Sequence, residues 1–210
     1  MQLYSAIGQD RQLIGQAGCL IGRALPHGRD EAAAPVRSAA VLSVEQSNTS
    51  VVFDRRVILK WIRKLEAGIN PESEVLEFLT TRTAAAPIPT LLGLMTYEEG
   101  GDETPQPPAA AVAQRFVPNS GNGWTFTLSH LDRISSEARA GFSADAPSTV
   151  MKPYLAQIGR LGSVTADLHV ALASTSDSDA FRPEPITRDD VEEWRSAMSK
   201  QLHGVCHELE

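Results

Sequence analysis

Cysteine is nearly absent from this chain. Cys19 and Cys206 are the two in 210 residues, too few and too far apart for a disulfide framework. A reducing cytoplasm is the compartment expected from that usage. Basic residues are also in short supply: 19 Lys and Arg stand against 26 Asp and Glu, a net charge of −7. An acidic chain of this kind has no electrostatic footprint for nucleic acid or for an anionic membrane surface. No apolar run approaches the roughly 20 residues that span a bilayer. The opening residues Met1-Gln2-Leu3-Tyr4-Ser5 lack a basic region followed by an apolar stretch, so no signal peptide is expected. No internal repeat is visible, which excludes a solenoid or a propeller.

What remains is an ordinary globular composition, 42% hydrophobic and 21% charged, in a chain long enough for one large domain or two small ones. Residues 1–36 are rich in Ala, Gly and Arg and weakly periodic. Ile7, Leu13, Ile14, Cys19, Leu20 and Ile21 fit either a hairpin or a poorly formed helix. From residue 38 the pattern sharpens. Ser38 to Val44 alternates as a strand does, and Val51–Phe53 and Val57–Ile62 are strand candidates joined by the turn Asp54-Arg55-Arg56. Asn70-Pro71 marks a helix start, with Asn as cap and Pro at the first helical position; acids follow where the helix dipole favours them. Thr90–Tyr97 and Ala110–Val117 read as strands on either side of a long loop rich in Pro and Gly. Beyond them only helices are expected: Trp124–Ile134, then 151–173 with Leu155, Ile158, Leu161, Val164, Leu168 and Leu172 at steps of three or four, and last Asp189 to about Leu209. Strands with one inserted helix, followed by helices alone, predict an α+β protein.

Three local patterns bear on chemistry. The first is the polar turn Gln46-Ser47-Asn48-Thr49-Ser50, whose backbone N–H groups and small side chains suit a phosphate and equally suit a plain hairpin. The second is Lys60, closing the strand Val57-Ile58-Leu59. An ammonium there needs a carboxylate, and Glu74 on the following helix is the candidate; Glu72 is expected at the surface or capping the helix, with an exchange of roles between the two acids left open. The competing reading makes Lys60 a solvated strand lysine. The third is Gln114-Arg115-Phe116-Val117, a strand end leading into the turn Asn119–Gly123. Two further clusters are read blandly. Asp167-Leu168-His169 lies within a helix, where His169 is expected to pack or hydrogen-bond. His203, Cys206 and His207 share a helical face but lack an evident fourth zinc ligand. Trp61, Trp124 and Trp194 are taken as packing residues.

Taken in order, Glu45–Ser50, Ile58-Leu59-Lys60, Gly68–Glu72, Phe116–Asn119 with Gly123-Trp124, and Thr165–His169 resemble the bacterial maltokinase family. That family belongs to the aminoglycoside-phosphotransferase-like kinases and includes glucosamine kinases and trehalose-synthase-fused forms. The resemblance runs from about Val44 to about Pro185 and implies a protein-kinase-like fold. Residues 1–40 would be part of an N-terminal cap, 41–118 an ATP-binding N-lobe with its hinge, and 119–210 the start of a helical C-lobe. By the same resemblance Gln46, Ser47, Asn48, Thr49 and Ser50 would lie over the phosphates of ATP. Lys60, partnered by Glu74, would neutralise the α- and β-phosphates, and the backbone of Gln114, Phe116 and Val117 would hold adenine. Relatives usually carry an acid where this chain has Arg115.

The implied parent activity is transfer of the ATP γ-phosphate to maltose, giving maltose 1-phosphate, with glucosamine as the alternative acceptor and a trehalose synthase as a possible partner. The family's catalytic-loop signature His-Gly-Asp-x-His occurs nowhere in the 210 residues. No catalytic residue and no Mg²⁺ ligand is therefore assigned, and the chain alone is expected to be inactive. It is read as ending before that machinery. With two helices to cover each other, the stripe from Leu155 to Leu172 is expected to be partly exposed. Two rival functions stay open: a non-catalytic nucleotide-binding or regulatory module, and an adaptor that binds no nucleotide.

Overall fold

The computed structural model describes residues 2–42, 48–82, 87–100, 106–139, 146–174 and 178–209. The chain divides into two compact units, Met1–Leu168 and His169–Glu210.

The first unit is built on a seven-stranded antiparallel sheet. In chain order its elements are α1 (Gln2–Gly8), β1 (Gln12–Ile14), β2 (Gly18–Ala24), α2 (Pro26–Ala33), β3 (Ala39–Leu42), β4 (Asn48–Phe53), β5 (Val57–Ile62), α3 (Pro71–Arg82), β6 (Leu91–Glu99), β7 (Ala109–Arg115), α4 (Gly123–Arg139) and α5 (Ala146–Leu172). The strand order is β1-β2-β6-β7-β5-β4-β3. The undecided N-terminal stretch is thus both of the things it hinted at, a hairpin flanked by two short helices. It joins the same sheet through the pairing of β2 with β6.

Successive strand residues point to opposite faces, and the two faces are covered by different helices. Tyr4, Ala6 and Ile7 of α1 pack with Phe53, Val57, Leu59, Met95, Ala111 and Ala113 on one face. The Tyr4 and Phe53 rings stack with centroids 5.2 Å apart. On the other face Leu76 of α3 packs with Leu25, Leu91, Leu94 and Val112. The α1 and α2 helices are short and weakly amphipathic, and they hold because they approach the sheet closely. Gly28 lies so near β6 that a Cβ there would meet the Leu92 carbonyl oxygen at 1.7 Å.

The β4–β5 hairpin turns through Asp54-Arg55-Arg56, with Asp54 (φ 49°) and Arg55 (φ 55°) in the left-handed region and the Arg56 amide donating to the Phe53 carbonyl at 2.9 Å. The Asp54 carboxylate accepts hydrogen bonds from the amides of Arg37 (3.0 Å) and Ser38 (2.6 Å), stitching the turn to the segment before β3. These amide donors, with the Ser38 hydroxyl and Arg56, hold the Asp54 carboxyl down at about 2.

After the sheet, α4 and α5 meet at Tyr154, whose hydroxyl lies 3.2 Å from that of Thr127 and whose ring stacks on Phe126. Most of their apolar side chains are exposed, among them Trp124 at 71%, Leu131, Leu155, Ile158 and Leu161. The stripe expected to be partly exposed is so: Val164, Leu168 and Leu172 are half-buried and its first three members open. His169 is exposed, so of the two expected roles, packing or hydrogen bonding, packing is corrected.

The second unit holds a short 3-10 turn (Asp179–Phe181) and α6 (Arg188–Leu209). Thr187 and Asp190 cap α6 reciprocally: the Asp190 carboxylate accepts from the Thr187 amide at 2.7 Å, and the Asp190 amide donates to the Thr187 hydroxyl at 3.2 Å. Val191, Trp194, Met198, Leu202 and Val205 form an apolar stripe along it, all exposed, so Trp124 and Trp194 are not core residues here. The His203 ring nitrogen Nδ1 lies 2.7 Å from the Ser199 carbonyl oxygen. Among the described residues no three His, Cys, Asp or Glu side chains gather as a metal site, and no helix is long and apolar enough to cross a membrane.

Candidate functional site

One row of residues crosses the sheet on the face that α3 covers. Register pairs Leu42 with Ser50, Ser50 with Lys60, Lys60 with Val112, Val112 with Leu94 and Leu94 with Arg23. Directly paired residues share a face, so Lys60 rises beside Ser50 on one side and Val112 on the other. Its strand is central, with β4 and β7 as neighbours. The Lys60 side chain is only 21% exposed and ends in an ion pair: Nζ donates to Glu72 Oε1 at 2.5 Å. Ser50 is fully buried next to it.

The carboxylate Lys60 meets is that of Glu72 and not of Glu74, which corrects the expected pairing. The cause lies in where α3 begins. Asn70 caps it, its side-chain oxygen accepting from the Ser73 amide at 3.1 Å and its carbonyl from the Glu74 amide at 3.0 Å. Helical phase then puts Glu72 over the sheet, with Leu76 four residues on beneath the same side, while Glu74 is turned about 200° from Glu72.

The polar turn is split by the same geometry. Gln46 and Ser47 lie outside the described residues. Asn48 and Ser50 point to the Lys60 face, paired with Ile62 and Lys60, whereas Thr49 pairs with Trp61 on the opposite face. The Thr49 side chain therefore does not join Lys60, because a strand alternates. Just beyond Lys60 a cavity of about 480 Å³ opens between strand ends and the start of α3, with Asn48, Ile62, Asn70, Pro71 and Ala109 among its lining.

At the far end of β7 the expected hinge residues are spent unevenly. Gln114 is buried and shares the Lys60 face through its pairing with Ile58. The Arg115 amide donates to the Thr90 carbonyl and the Phe116 amide to the Arg56 carbonyl at 2.7 Å, so the Phe116 N–H is not open to a ligand. Val117 is exposed, and its carbonyl accepts from Asn119 at 3.3 Å. Arg115 itself faces Glu31, whose carboxylate also takes Arg56 at 2.8 Å. Burial pushes the nearby Tyr4 phenol up to about 12.

Two residues that shape this site carried no sequence signal. Arg23 of β2 ends the transverse row and grips Glu77 of α3 with both arms of its guanidinium, at 2.8 and 2.5 Å. Only the strand order, which sets β2 beside β6, brings it there.

Comparison with protein-family models finds no match. Curated relatives similar in sequence include two glucosamine kinases. A glucosamine kinase of Streptacidiphilus jiangxiensis is 28% identical over 172 residues, covering 81% of this chain and 35% of the relative. A glucosamine kinase of Mycolicibacterium smegmatis is 25% identical over 162 residues, covering 77% and 35%. The chain is similar to sugar kinases. Among solved structures, a glucosamine kinase (crystal form A) superposes with a TM-score of 0.59 at 25% identity, over 96% of this chain and 40% of that one. A glucosamine kinase in complex with glucosamine, ADP and inorganic phosphate superposes with a TM-score of 0.57 at 24% identity, which speaks to fold alone. The fold is therefore kinase-like, as the motif order implied. The chain spans about a third of the length of the curated relatives it matches. These two are glucosamine kinases, the alternative weighed beside maltokinase.

Proposed function

We propose that residues 1–210 form the ATP-binding part of a sugar kinase. The observation that carries the reading is the partly buried Lys60–Glu72 pair beside Ser50, on the sheet face that a capped helix covers. A lysine wanted only for solubility would not sit on a central strand with its ammonium held by a carboxylate. Held this way, the ammonium is oriented and desolvated enough to bind phosphate oxygens as a fixed charge. The polar turn Gln46–Ser50 supplies the phosphate cover in this reading. The Val117 amide and the carbonyls around it are left to meet the base.

The acceptor we favour is an amino sugar, because the two relatives described above are named glucosamine kinases; maltose, suggested by the motif resemblance, is the second candidate. The groups that would orient the sugar hydroxyl and bind Mg²⁺ have no counterpart motif in the 210 residues, so the isolated chain is proposed to bind nucleotide without turning it over. Titration calorimetry with ATP tests this. Saturable binding is expected, weakened about tenfold or more in Lys60→Ala, the scale of a lost charge-assisted hydrogen bond. Equal binding in both proteins, or none in either, would remove the assignment. Joining the chain to the C-terminal portion of a glucosamine kinase and assaying glucosamine against maltose would decide the acceptor.

A further inference from the structure

Helix α3 is attached to the sheet by buried apolar side chains, by the Leu91 amide donating to the Thr80 hydroxyl at 3.0 Å, and by two charged points on either side of Leu76. Lys60 and Arg23 stand in the same transverse row, separated only by Val112 and Leu94. Each rises on the α3 face and each ends on an α3 carboxylate, Lys60 on Glu72 and Arg23 on Glu77. Leu76 sits between those two acids in sequence and packs on Val112 and Leu94, the two row members between the two cations. Apolar contacts are non-directional, so buried Leu76, Phe78 and Leu79 hold α3 down while leaving its rotation loosely fixed. Two ion pairs on either side of Leu76, on acids 140° apart around the helix by the 100° step per residue, oppose roll and tilt.

From this arrangement we infer that Arg23 is a positioning residue: its two-armed grip on Glu77 holds α3 in the rotation that brings Glu72 to Lys60. The inference rests on the nucleotide reading for its functional consequence, but the mechanical claim concerns this chain's own residues. A bidentate guanidinium–carboxylate pair is the suitable device, since it fixes an angle as well as a distance. The pair is half open to solvent, with Arg23 53% and Glu77 34% exposed, so its grip is of moderate strength. It also connects residues 54 positions apart. The N-terminal hairpin thereby reaches the ion pair in the middle of the sheet without touching it.

The test reads Lys60 directly. In the full chain, an amine-reactive acylating reagent labels lysines at a rate set by how often the ammonium is released and deprotonated. Mass spectrometry gives the labelling of Lys60 relative to Lys64, whose own pairing with Glu66 is independent of α3. Glu72→Gln should raise the ratio and mark the fully released state. Arg23→Ala should raise it about two- to fivefold, the range set by an exposed pair. The exchange Arg23→Glu with Glu77→Arg should restore it, and Arg23→Lys should fall between. In a Glu72→Gln background Arg23→Ala should add nothing, whereas general loosening of the fold would still add its factor.

An unchanged ratio in both Arg23→Ala and Arg23→Lys, or the same increment in the Glu72→Gln background, overturns the inference. If Arg23→Ala does not fold, Arg23→Lys and the charge exchange decide it by the same ratio. Titration with ADP is run in parallel. Absence of ADP binding by the unaltered chain would remove the nucleotide reading and leave the labelling result standing. ADP affinity that falls in step with the ratio ties the two together.

Discussion

At the scale of single residues, what mattered was legible only where the local chain determines it. Lys60 could be singled out because β-branched and apolar residues around it announce a buried strand, and a lysine there demands a partner. The partner's identity depended on helical phase, which a shift of one residue in the start of α3 changes by 100°. Glu72 and Glu74 were both available, and Asn70 as cap selected Glu72. Substituting each acid separates them: Glu72→Gln should weaken nucleotide binding several-fold and Glu74→Gln should leave it unchanged, as titration calorimetry would show. The Arg23–Glu77 contact had no local signal at all, since its two halves are brought together by strand order.

Asp54 offers a test of a different kind. Its carboxyl is depressed from 3.8 to about 2 by the amides of Arg37 and Ser38 and by its side-chain donors. The unfolded chain then binds a proton that the folded chain refuses, so this contribution is complete above the unfolded value and is lost as pH falls toward about 2. Asp10, lowered by the Ala24 amide and Arg29, adds a slope of the same sign. Urea midpoints measured from about pH 5 downward should fall steadily in the unaltered chain, and Asp54→Asn should flatten that slope. An identical slope in Asp54→Asn would show the hydrogen bonds to be unimportant for the turn.

At the scale of elements, strands 57–62 and the helix from Pro71 were readable because period and capping residues coincide there. The first 36 residues were not, for a physical reason. Helices of seven and eight residues are too short to show a stripe or to hold alone, and here they are held by close approach to the sheet, with Gly28 against the Leu92 carbonyl. Gly28→Ala should therefore destabilise by about 1–3 kcal/mol or more, since the neighbour is backbone and yields little. Gly159 in α5 has nothing within reach of an added Cβ. Gly159→Ala should raise helicity and add up to about 1 kcal/mol to that helix. Opposite signs for two identical substitutions, read by urea denaturation and circular dichroism, would confirm that packing and not propensity holds the N-terminal helices. At the other end of the same scale, Asn70→Ala should cost about 1 kcal/mol through loss of the α3 cap.

At the scale of the whole molecule, the contrast is between a sheet whose central strands are covered on both faces and helices whose apolar sides are open. The sheet and α3 bury Leu79, Leu91, Met95 and Val112 completely, while α4, α5 and α6 leave Trp124, Leu155, Leu161, Trp194 and Met198 exposed. Periodicity in the sequence forecast the helices correctly but could not say whether anything covers them, because a stripe has the same pattern buried or bare. Exposed apolar area of this extent marks a surface suited to binding other protein. The 210-residue chain should therefore bind an apolar dye while still melting cooperatively through its sheet. Replacing Leu155 and Leu161 with Gln should reduce dye fluorescence and shift the melting temperature little, as open positions contribute within about 0.5 kcal/mol each. Leu79→Ala, at a fully buried position, should instead cost about 2–5 kcal/mol and leave the dye signal of the folded state unchanged. If the two Gln substitutions unfolded the chain, α5 would be part of its core in solution, and the division between a closed sheet and open helices would have to be abandoned.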